Sequence, residues 1–270
     1  GTALFIWYQL LDNERQCETP DAQRGSLLGP RFSSDEIGAF LDRSGSVYHQ
    51  FTDEGELDRE IVDLIEDEKV VGLFHGRMEF GPRALGCRSI IGDARSRRMQ
   101  SVMNLKIKFR ESFRPFAPSV LAENVSDWFD MDASSPYMLL VADVKEEHRR
   151  EPDADEKKLA GLKKLGAVRS TVPAVTHVDC SARVQTVHRE TNPLYHDMIS
   201  RFNEDYGCPV VINTSFNVRG EPIVSTPEDA WRCFMRTDMD CLVMGPFLLL
   251  KEEQPRLEEK GDWRDEFELD

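Results

Sequence analysis

Residues 57–86 read LDREIVDLIEDEKVVGLFHGRMEFGPRALG. Leu57, Ile61, Leu64 and Ile65 lie at the spacing of one helix face, and the apolar run KVVGLF at 69–74 has the length of a buried strand. Three glycines and two arginines follow within the next twelve residues. The stretch therefore predicts a helix that runs into a strand, with a basic, glycine-rich loop at the end of the strand, where such sheets commonly bind ligands.

Capping residues and hydrophobic spacing predict the other elements. Ser33 with Glu36 has the spacing of a capping box, and Thr226 followed by Pro227 marks a second helix start. Because helices and strands do not alternate cleanly, we expect an α+β fold, a twisted mixed β-sheet with flanking helices. Helices are expected at 1–12, 99–105 and 193–206 and strands at 117–120, 137–144, 184–187, 209–212, 240–244 and 247–250, with no structure assigned to the charged segment 145–170.

The composition is that of an acidic globular protein. The chain has 270 residues and a formal net charge of −15. It shows neither an apolar run that could span a bilayer nor a secretion signal, so we expect no membrane contact. Scattered cysteines without a CxxC pair or a histidine at metal spacing indicate free thiols in a cytoplasmic protein and no metal site; they are Cys17, Cys87, Cys180, Cys208, Cys233 and Cys241.

Positive charge is concentrated in one segment of this acidic chain. Residues 75–116 hold ten Lys or Arg and three Asp or Glu, a net charge of +7, which leaves −22 for the remainder. A basic segment in an acidic protein favours a small anion such as a phosphate or a nucleotide over an extended polyanion. We therefore expect no nucleic-acid partner.

Two further stretches carry polar side chains suited to phosphate chemistry. In KIKFRESFRPFAP at 106–118, alternation predicts Lys106, Lys108 and Arg110 on one face of an extended segment. VINTSFNVRGEP at 211–222 follows a strand with hydroxyl, amide and arginine donors, of which Arg219 can stabilise developing negative charge. The stretch at 106–118 also has a plain interpretation as a surface strand with ordinary charges.

THVDCSAR at 176–183 is a smaller candidate. His177 and Asp179 can be read as an acid–base pair, but two residues of separation do not make a catalytic triad. Arg183 is the better candidate for a ligand contact. For His75 we expect a structural or substrate-positioning role, because the sequence identifies no partner for a general base.

Four segments carry a family resemblance. GRMEFGPRALG, IKFRESFRPFAPSVL, PAVTHVDCSARVQTV and VINTSFNVRGEPIVSTPEDA resemble the carboxy-terminal region of the O-carbamoyltransferases, which include nodulation protein U and the cephalosporin and tobramycin carbamoyltransferases. The resemblance covers about residues 28–250. Cys87 and Cys180 depart from it, since they replace the usual Asn and Gly.

The resemblance implies a YrdC-like domain that forms carbamoyl adenylate from carbamoyl phosphate and ATP, with Mg²⁺ accompanying ATP. It implies that residues 1–27 are the remnant and linker of an amino-terminal actin-like ATPase-fold domain, that 28–250 are the YrdC-like domain and that 251–270 are a charged tail. The amino-terminal domain would hold the iron and transfer the carbamoyl group to a hydroxyl acceptor. By motif, the catalytic residues would be Lys108, Arg114 and Arg219, and the substrate and nucleotide contacts Arg83, Arg183, Ser215 and Asn217.

Three other functions remain open from the sequence. Threonylcarbamoyl adenylate synthesis is the nearest enzymatic rival, although GPRALG and THVD follow the O-carbamoyltransferase pattern. The basic segment could instead bind nucleic acid, with a steep dependence on salt. The third is a nucleotide-binding domain that does not turn over by itself.

Overall fold

Helix α3 (Glu54–Glu66) and strand β2 (Val71–Phe74) form the unit that residues 57–74 predict. Asp53 caps the amino-terminal end of the helix, since its carboxylate accepts hydrogen bonds from the amides of Gly55 at 2.7 Å and Glu56 at 3.1 Å. Its apolar face is buried at Leu57, Ile61, Val62 and Ile65, and every residue of β2 is buried. The helix packs against helix α6 (Pro193–Tyr206) as well as against the sheet, and burial of its apolar stripe stabilises the unit.

A computed structural model describes residues 1–16, 18, 21–256 and 263. Cys17 and most of the predicted tail therefore lie outside the described residues. The remaining α-helices are α1 (Thr2–Phe5), α2 (Ser34–Ser44), α4 (Met99–Lys106), α5 (Val125–Trp128), α6 (Pro193–Tyr206) and α7 (Pro227–Arg236), and a π-helix at Ile6–Leu10 continues α1. The remaining strands are β1 (His49–Gln50), β3 (Arg88–Asp93), β4 (Ala117–Leu121), β5 (Leu140–Asp143), β6 (Ser181–Val187), β7 (Val210–Ser215), β8 (Cys241–Met244) and β9 (Phe247–Leu250).

The strands of the described residues form one mixed sheet in the order β1-β9-β8-β2-β3-β7-β4-β6-β5. β2 pairs with β8, and β4 with β6, in parallel, while the other neighbours are antiparallel. The predicted α+β fold with a mixed sheet and flanking helices is confirmed. Because β7 lies between β3 and β4, the loops that follow β2 and β7 and the face of β6 are brought to one region of the sheet.

Strand β3 is the central element that the sequence patterns missed. It runs from Arg88 to Asp93, is buried throughout, and pairs Ser89 with Ser215 and Ile91 with Asn213 on β7. Its two polar leading residues and its Gly-Asp end hide the short apolar centre at Ile90 and Ile91. The fully buried Arg88 is accommodated because its guanidinium stacks 3.6 Å from the centre of the Phe74 ring.

The predicted extended segment with Lys106, Lys108 and Arg110 on one face is wrong. Lys106 is exposed at the end of α4, whereas Lys108 is buried in the irregular segment that follows. The cause is Asn104, whose side-chain amide donates to the carbonyls of Ser112 at 3.2 Å and Arg114 at 2.8 Å. These bonds fold the chain back around the buried Asn104 side chain. The segment is therefore not extended, and its alternating basic residues do not share one face.

Two other predictions differ in extent. The strand expected at 137–144 is limited to Leu140–Asp143, because Met138 has a φ of 54° and interrupts the extended backbone. In the charged segment 145–170, the backbone forms three short 3₁₀ helices at Glu146–His148, Glu156–Lys158 and Gly161–Gly166. Its two ends are joined by hydrogen bonds from the amide of Arg150 to the carbonyl of Arg169 at 2.7 Å and from the amide of Thr171 to the carbonyl of His148 at 2.9 Å.

The segment expected to be a linker contacts the loop after β2. The amide of Phe80 donates to the carbonyl of Ser26 at 2.6 Å. Just after this segment, the amide of Gly29 donates to the carbonyl of Met78, and the amide of Met78 donates to the carbonyl of Pro30, both at 2.9 Å. The division of the chain at residues 27 and 250 stays a prediction.

The capping box of α7 can be tested by substitution. The Thr226 hydroxyl accepts from the amide of Asp229 at 3.2 Å, and the Asp229 carboxylate accepts from the amide of Thr226 at 2.9 Å. We expect Thr226→Ala to lower the free energy of unfolding by about 1 kcal/mol, because one amide loses its acceptor. Urea denaturation measures the change. Thr226→Ser keeps the hydroxyl, and an equal loss in that variant would contradict the capping explanation.

Candidate anion-binding site

A small pocket of about 150 Å³ gathers three arginines from separate parts of the chain. Arg83 comes from the loop after β2, Arg110 from the segment after α4 and Arg183 from β6. The end of β7 adds backbone and hydroxyl groups at Thr214 and Ser215. Of the predicted contacts, Arg83, Arg183 and Ser215 therefore line one pocket.

The pocket is electrostatically positive. None of the described residues that line it is acidic. Burial lowers the pKa of Arg183, and the neighbouring Arg83 lowers it further. Burial also lowers the pKa of Arg110, with a second contribution from Arg114. Cations that destabilise one another in a partly desolvated pocket favour an anion between them.

The loop that presents Arg83 is held from below by buried polar side chains. Glu79 accepts hydrogen bonds from the amides of Leu85 and Cys87, both at 2.7 Å. A ring nitrogen of His75, Nε2, lies 2.8 Å from the carbonyl oxygen of Gly86. Burial lowers the pKa of His75 to about 4, so the ring is neutral and Nε2–H donates to that carbonyl. His75 thus has a positioning role, and Glu79 was not predicted.

Two strands of the sheet complete the support of this loop. Gln185 on β6 donates to the carbonyl of Leu85 at 2.9 Å, and Asn213 on β7 donates to the carbonyl of Ala84 at 3.2 Å. Asn213 also donates to the side-chain oxygen of Gln185 at 2.7 Å. Alternate residues of a strand share a face, so Gln185 lies beside Arg183, and Asn213 beside Ser215. That spacing of two was visible in the sequence and could have identified both residues.

Gly86 permits this arrangement. Its φ is 117°, and a Cβ at this position would lie 2.3 Å from a ring carbon of Tyr195. A side chain there would push the loop away from α6. Glycine is therefore required for the close packing that places Arg83.

Lys108 lies under the loop that follows β7. Its ammonium group donates to the carbonyl and side-chain oxygens of Asn217 at 2.8 and 2.9 Å, and to the carbonyl of Ser215. The Ser215 hydroxyl in turn donates to the Asn217 side-chain oxygen at 2.7 Å. Three of the predicted residues are thus joined in one network, which fixes the shape of the turn at 215–217.

Arg114 and Arg219 meet at a shared carboxylate. Glu111 contacts Arg114 at 2.9 Å and Arg219 at 4.0 Å. Both arginines lie outside the small pocket, on the segments that lead away from Arg110 and Ser215. The structure thus places the predicted residues in three adjoining groups rather than in one cluster.

A larger cleft of about 1000 Å³ adjoins the arginine pocket, since Pro115 lines both. Its walls are α4, the loop at 112–115, the charged segment at 159–169 and the turn at 176–179. Side chains with polar groups in the lining include Gln100, Ser112, Arg169, His177 and Asp179. The volume is that of a site for a nucleotide-sized molecule.

The described residues bear on both a metal site and a membrane crossing. They contain no group of three or more His, Cys, Asp or Glu side chains arranged to hold a metal ion. In the same part of the chain, no helix has the length and apolar character that a membrane crossing requires.

Comparison with known proteins shows which family the chain resembles. The family model described as "Carbamoyltransferase C-terminus" matches residues 62–251. An uncharacterized protein of Synechocystis, sll1178, is 57% identical over all of this chain and 44% of its own length. The 3'-hydroxymethylcephem-O-carbamoyltransferase of Streptomyces clavuligerus is 36% identical over 65% of this chain and 29% of its own. The chain therefore spans less than half the length of these relatives.

Among solved structures, full-length HypF in its phosphate- and nucleotide-bound form aligns with a TM-score of 0.43 and 15% identity. The alignment covers 75% of this chain and 22% of HypF.

The network at Lys108 predicts a pH-dependent stability difference. Lys108→Met removes the donor to Ser215 and Asn217, and we expect a loss of about 1–3 kcal/mol in the free energy of unfolding. Burial lowers the pKa of Lys108 to about 7, below its value in an unfolded chain. The unfolded state therefore binds more protons above pH 7, and stability attributable to Lys108 rises with pH from there to about 10.

The measurement is urea denaturation of wild type and Lys108→Met at several pH values between about 6 and 10, which span this range. The gap in unfolding free energy should widen as pH rises. A gap that stays constant would show that Lys108 keeps its ordinary pKa.

Proposed function

The chain belongs to the carbamoyltransferase family, whose carboxy-terminal region it matches, and from this premise we propose that it forms carbamoyl adenylate from carbamoyl phosphate and ATP. The carbamoyl group would then pass to a hydroxyl acceptor. The observation that carries the proposal is the convergence of Arg83, Arg110 and Arg183 on one small pocket beside a nucleotide-sized cleft.

The charges of the substrates support this assignment. Carbamoyl phosphate and ATP are both anions, and their reaction releases phosphate and pyrophosphate. A carbamate oxygen attacks the α-phosphorus of ATP, the bond to the β-phosphate breaks, and negative charge grows on the departing pyrophosphate. Fixed guanidinium groups stabilise such charge without reorganising during the reaction.

Each predicted residue has a place in this scheme. Arg83 and Arg183 hold the carbamoyl phosphate in the small pocket. Arg114 and Arg219, which share Glu111, bind the nucleotide phosphates. Ser215 and Asn217 contact the nucleotide from the turn that Lys108 supports, and the Lys108 charge acts from behind that turn. Mg²⁺ enters this proposal with ATP, bound to its phosphates.

The remaining parts of the proposal concern the whole protein. Because relatives are more than twice as long as this chain, we propose that a further domain of the actin-like ATPase fold carries out the transfer to the acceptor and holds the iron. The five described cysteines are free thiols, which supports a reducing, cytoplasmic location.

The decisive assay measures pyrophosphate released from ATP by the purified chain with and without carbamoyl phosphate. Release that depends on carbamoyl phosphate supports adenylation by this region alone. ATP binding by calorimetry without release would indicate a nucleotide-binding domain that requires its partner domain. Absence of ATP binding would contradict the proposal.

Arg183 provides a test by substitution. We expect Arg183→Ala to lower kcat/KM for pyrophosphate release by about 100-fold, because one charge-stabilising group is lost. Arg183→Lys should recover only part of the loss, since an ammonium cannot form the two-point contact of a guanidinium.

The matched control is Arg232→Ala, which removes a partly exposed arginine of α7 that is paired with Glu228 at 2.8 Å. It should retain wild-type kinetics. Wild-type kcat/KM in Arg183→Ala would remove this arginine from the proposed site.

A further inference from the structure

His177, Ser181 and Asp179 form a hydrogen-bonded chain at the edge of the large cleft. Nδ1 of His177 lies 3.1 Å from the Ser181 hydroxyl oxygen, and that hydroxyl donates to the Asp179 carboxylate at 2.7 Å. The carboxylate also accepts from the amide of Ser181 at 3.1 Å. The turn between these residues closes with bonds from the amide of His177 to the carbonyl of Ser181 and from the amide of Cys180 to the carbonyl of His177.

The direction of these bonds decides the form of the imidazole. Asp179 is a carboxylate and only accepts, so the single proton of the Ser181 hydroxyl is committed to it. The hydroxyl oxygen must then accept from His177, and Nδ1 carries a proton. In the neutral ring, Nε2 is left with its lone pair, and it bonds to none of the described residues.

The surroundings keep this ring neutral near pH 7. Burial lowers the pKa of His177, and Arg183 lowers it further, while Asp179 opposes both. Arg97 and Arg169 line the same cleft and add positive charge on its other walls. A neutral imidazole with one nitrogen oriented by hydrogen bonding is the form of a general base.

His177 lies on the side of the sheet that carries the arginine pocket. Ser181, Arg183 and Gln185 alternate along β6 and share one face, with about 7 Å between successive members. His177 contacts the first of these residues, Arg183 enters the arginine pocket, and Gln185 supports the Arg83 loop. His177 also lines the cleft that meets the pocket at Pro115.

The proposed reaction needs a base at one step. Conversion of carbamoyl phosphate and ATP to carbamoyl adenylate, phosphate and pyrophosphate consumes one water. The water oxygen bonds to the phosphorus of carbamoyl phosphate, the bond from phosphorus to the bridging oxygen breaks, and carbamate leaves with that oxygen. The carbamate oxygen then attacks the α-phosphorus of ATP. Water must lose a proton during the first step.

We propose that His177 accepts this proton at Nε2, with Ser181 and Asp179 as its positioning residues, and that the turn at 177–180 is therefore the hydrolytic part of the site. The inference rests on the proposed function and adds a proton acceptor to it. His177 is the catalytic residue because it would contact the attacking water. Ser181 and Asp179 act through it.

The test measures the two half-reactions separately in His177→Gln. Phosphate release from carbamoyl phosphate should fall about 100-fold or more, since general-base assistance is lost. Pyrophosphate release from ATP should stay within about twofold of wild type when ammonium carbamate replaces carbamoyl phosphate, because carbamate bypasses the hydrolytic step. His49→Gln is the matched control, since His49 is an exposed histidine on β1 at the opposite edge of the sheet.

The variant Asp179→Asn changes the pH dependence of phosphate release, which a purely structural role of Asp179 would leave unchanged. Asp179 raises the pKa of His177, so its removal should shift the acid limb of the rate profile for phosphate release to lower pH. Nitrogen-15 NMR of the imidazole in wild type should show the proton on Nδ1, whether or not the chain turns over.

The outcomes are distinguishable. Full phosphate release in His177→Gln, or an equal loss with carbamoyl phosphate and with carbamate, would overturn the role of His177 and leave the proposed function in place. A proton on Nε2 in wild type would also overturn it. If wild type releases no pyrophosphate from ATP with either carbamoyl phosphate or carbamate, the proposed function fails and the inference fails with it.

Discussion

The site depends on how the backbone of residues 84–87 is hydrogen bonded away from water. These residues are buried, and a buried amide or carbonyl without a partner destabilises the folded state by more than a typical hydrogen bond stabilises it. Their partners are side chains from four places: His75 and Glu79 before the loop, Ser89 on β3, Gln185 on β6 and Asn213 on β7. The loop cannot shift without breaking several of these bonds together. The register of the sheet therefore determines where Arg83 stands relative to Arg183.

This framework allows positive charges to converge. Burial and mutual repulsion disfavour the protonated form of Arg183, as its lowered pKa shows. The hydrogen bonds of the loop and the strand pairing of β6 fix the backbone positions from which Arg83 and Arg183 reach the pocket. An anion that enters the pocket offsets the repulsion, so anion binding should raise the free energy of unfolding. Local destabilisation of this kind is a common feature of functional sites.

Local signals predicted the elements whose ends are specified by neighbouring residues. Ser33 and Thr226 mark α2 and α7 because a cap needs only residues within one turn. The sequence does not reveal β3, because an arginine such as Arg88 is typical of the surface unless a ring and carbonyl acceptors surround it. Here the Phe74 ring and three carbonyls do so. The alternation around Lys108 predicts an extended segment, but the chain folds back there instead. The cause is the Asn104 side chain, which donates to carbonyls eight and ten residues later in the chain. Contacts across these distances leave no periodic signal.

The His177 chain shows why a spacing rule alone cannot identify a relay. His177 and Asp179 are two residues apart and do not bond to each other directly, so the pair by itself orients nothing. The turn places Ser181 between them, and it does so with Cys180 at a φ of 66°, a conformation that glycine adopts more readily. Once the hydroxyl is in place, its one proton can satisfy only one partner. Because the Ser181 hydroxyl donates to the Asp179 carboxylate, the proton of the neutral His177 ring must lie on Nδ1. The basic nitrogen is then Nε2, which has no protein partner among the described residues.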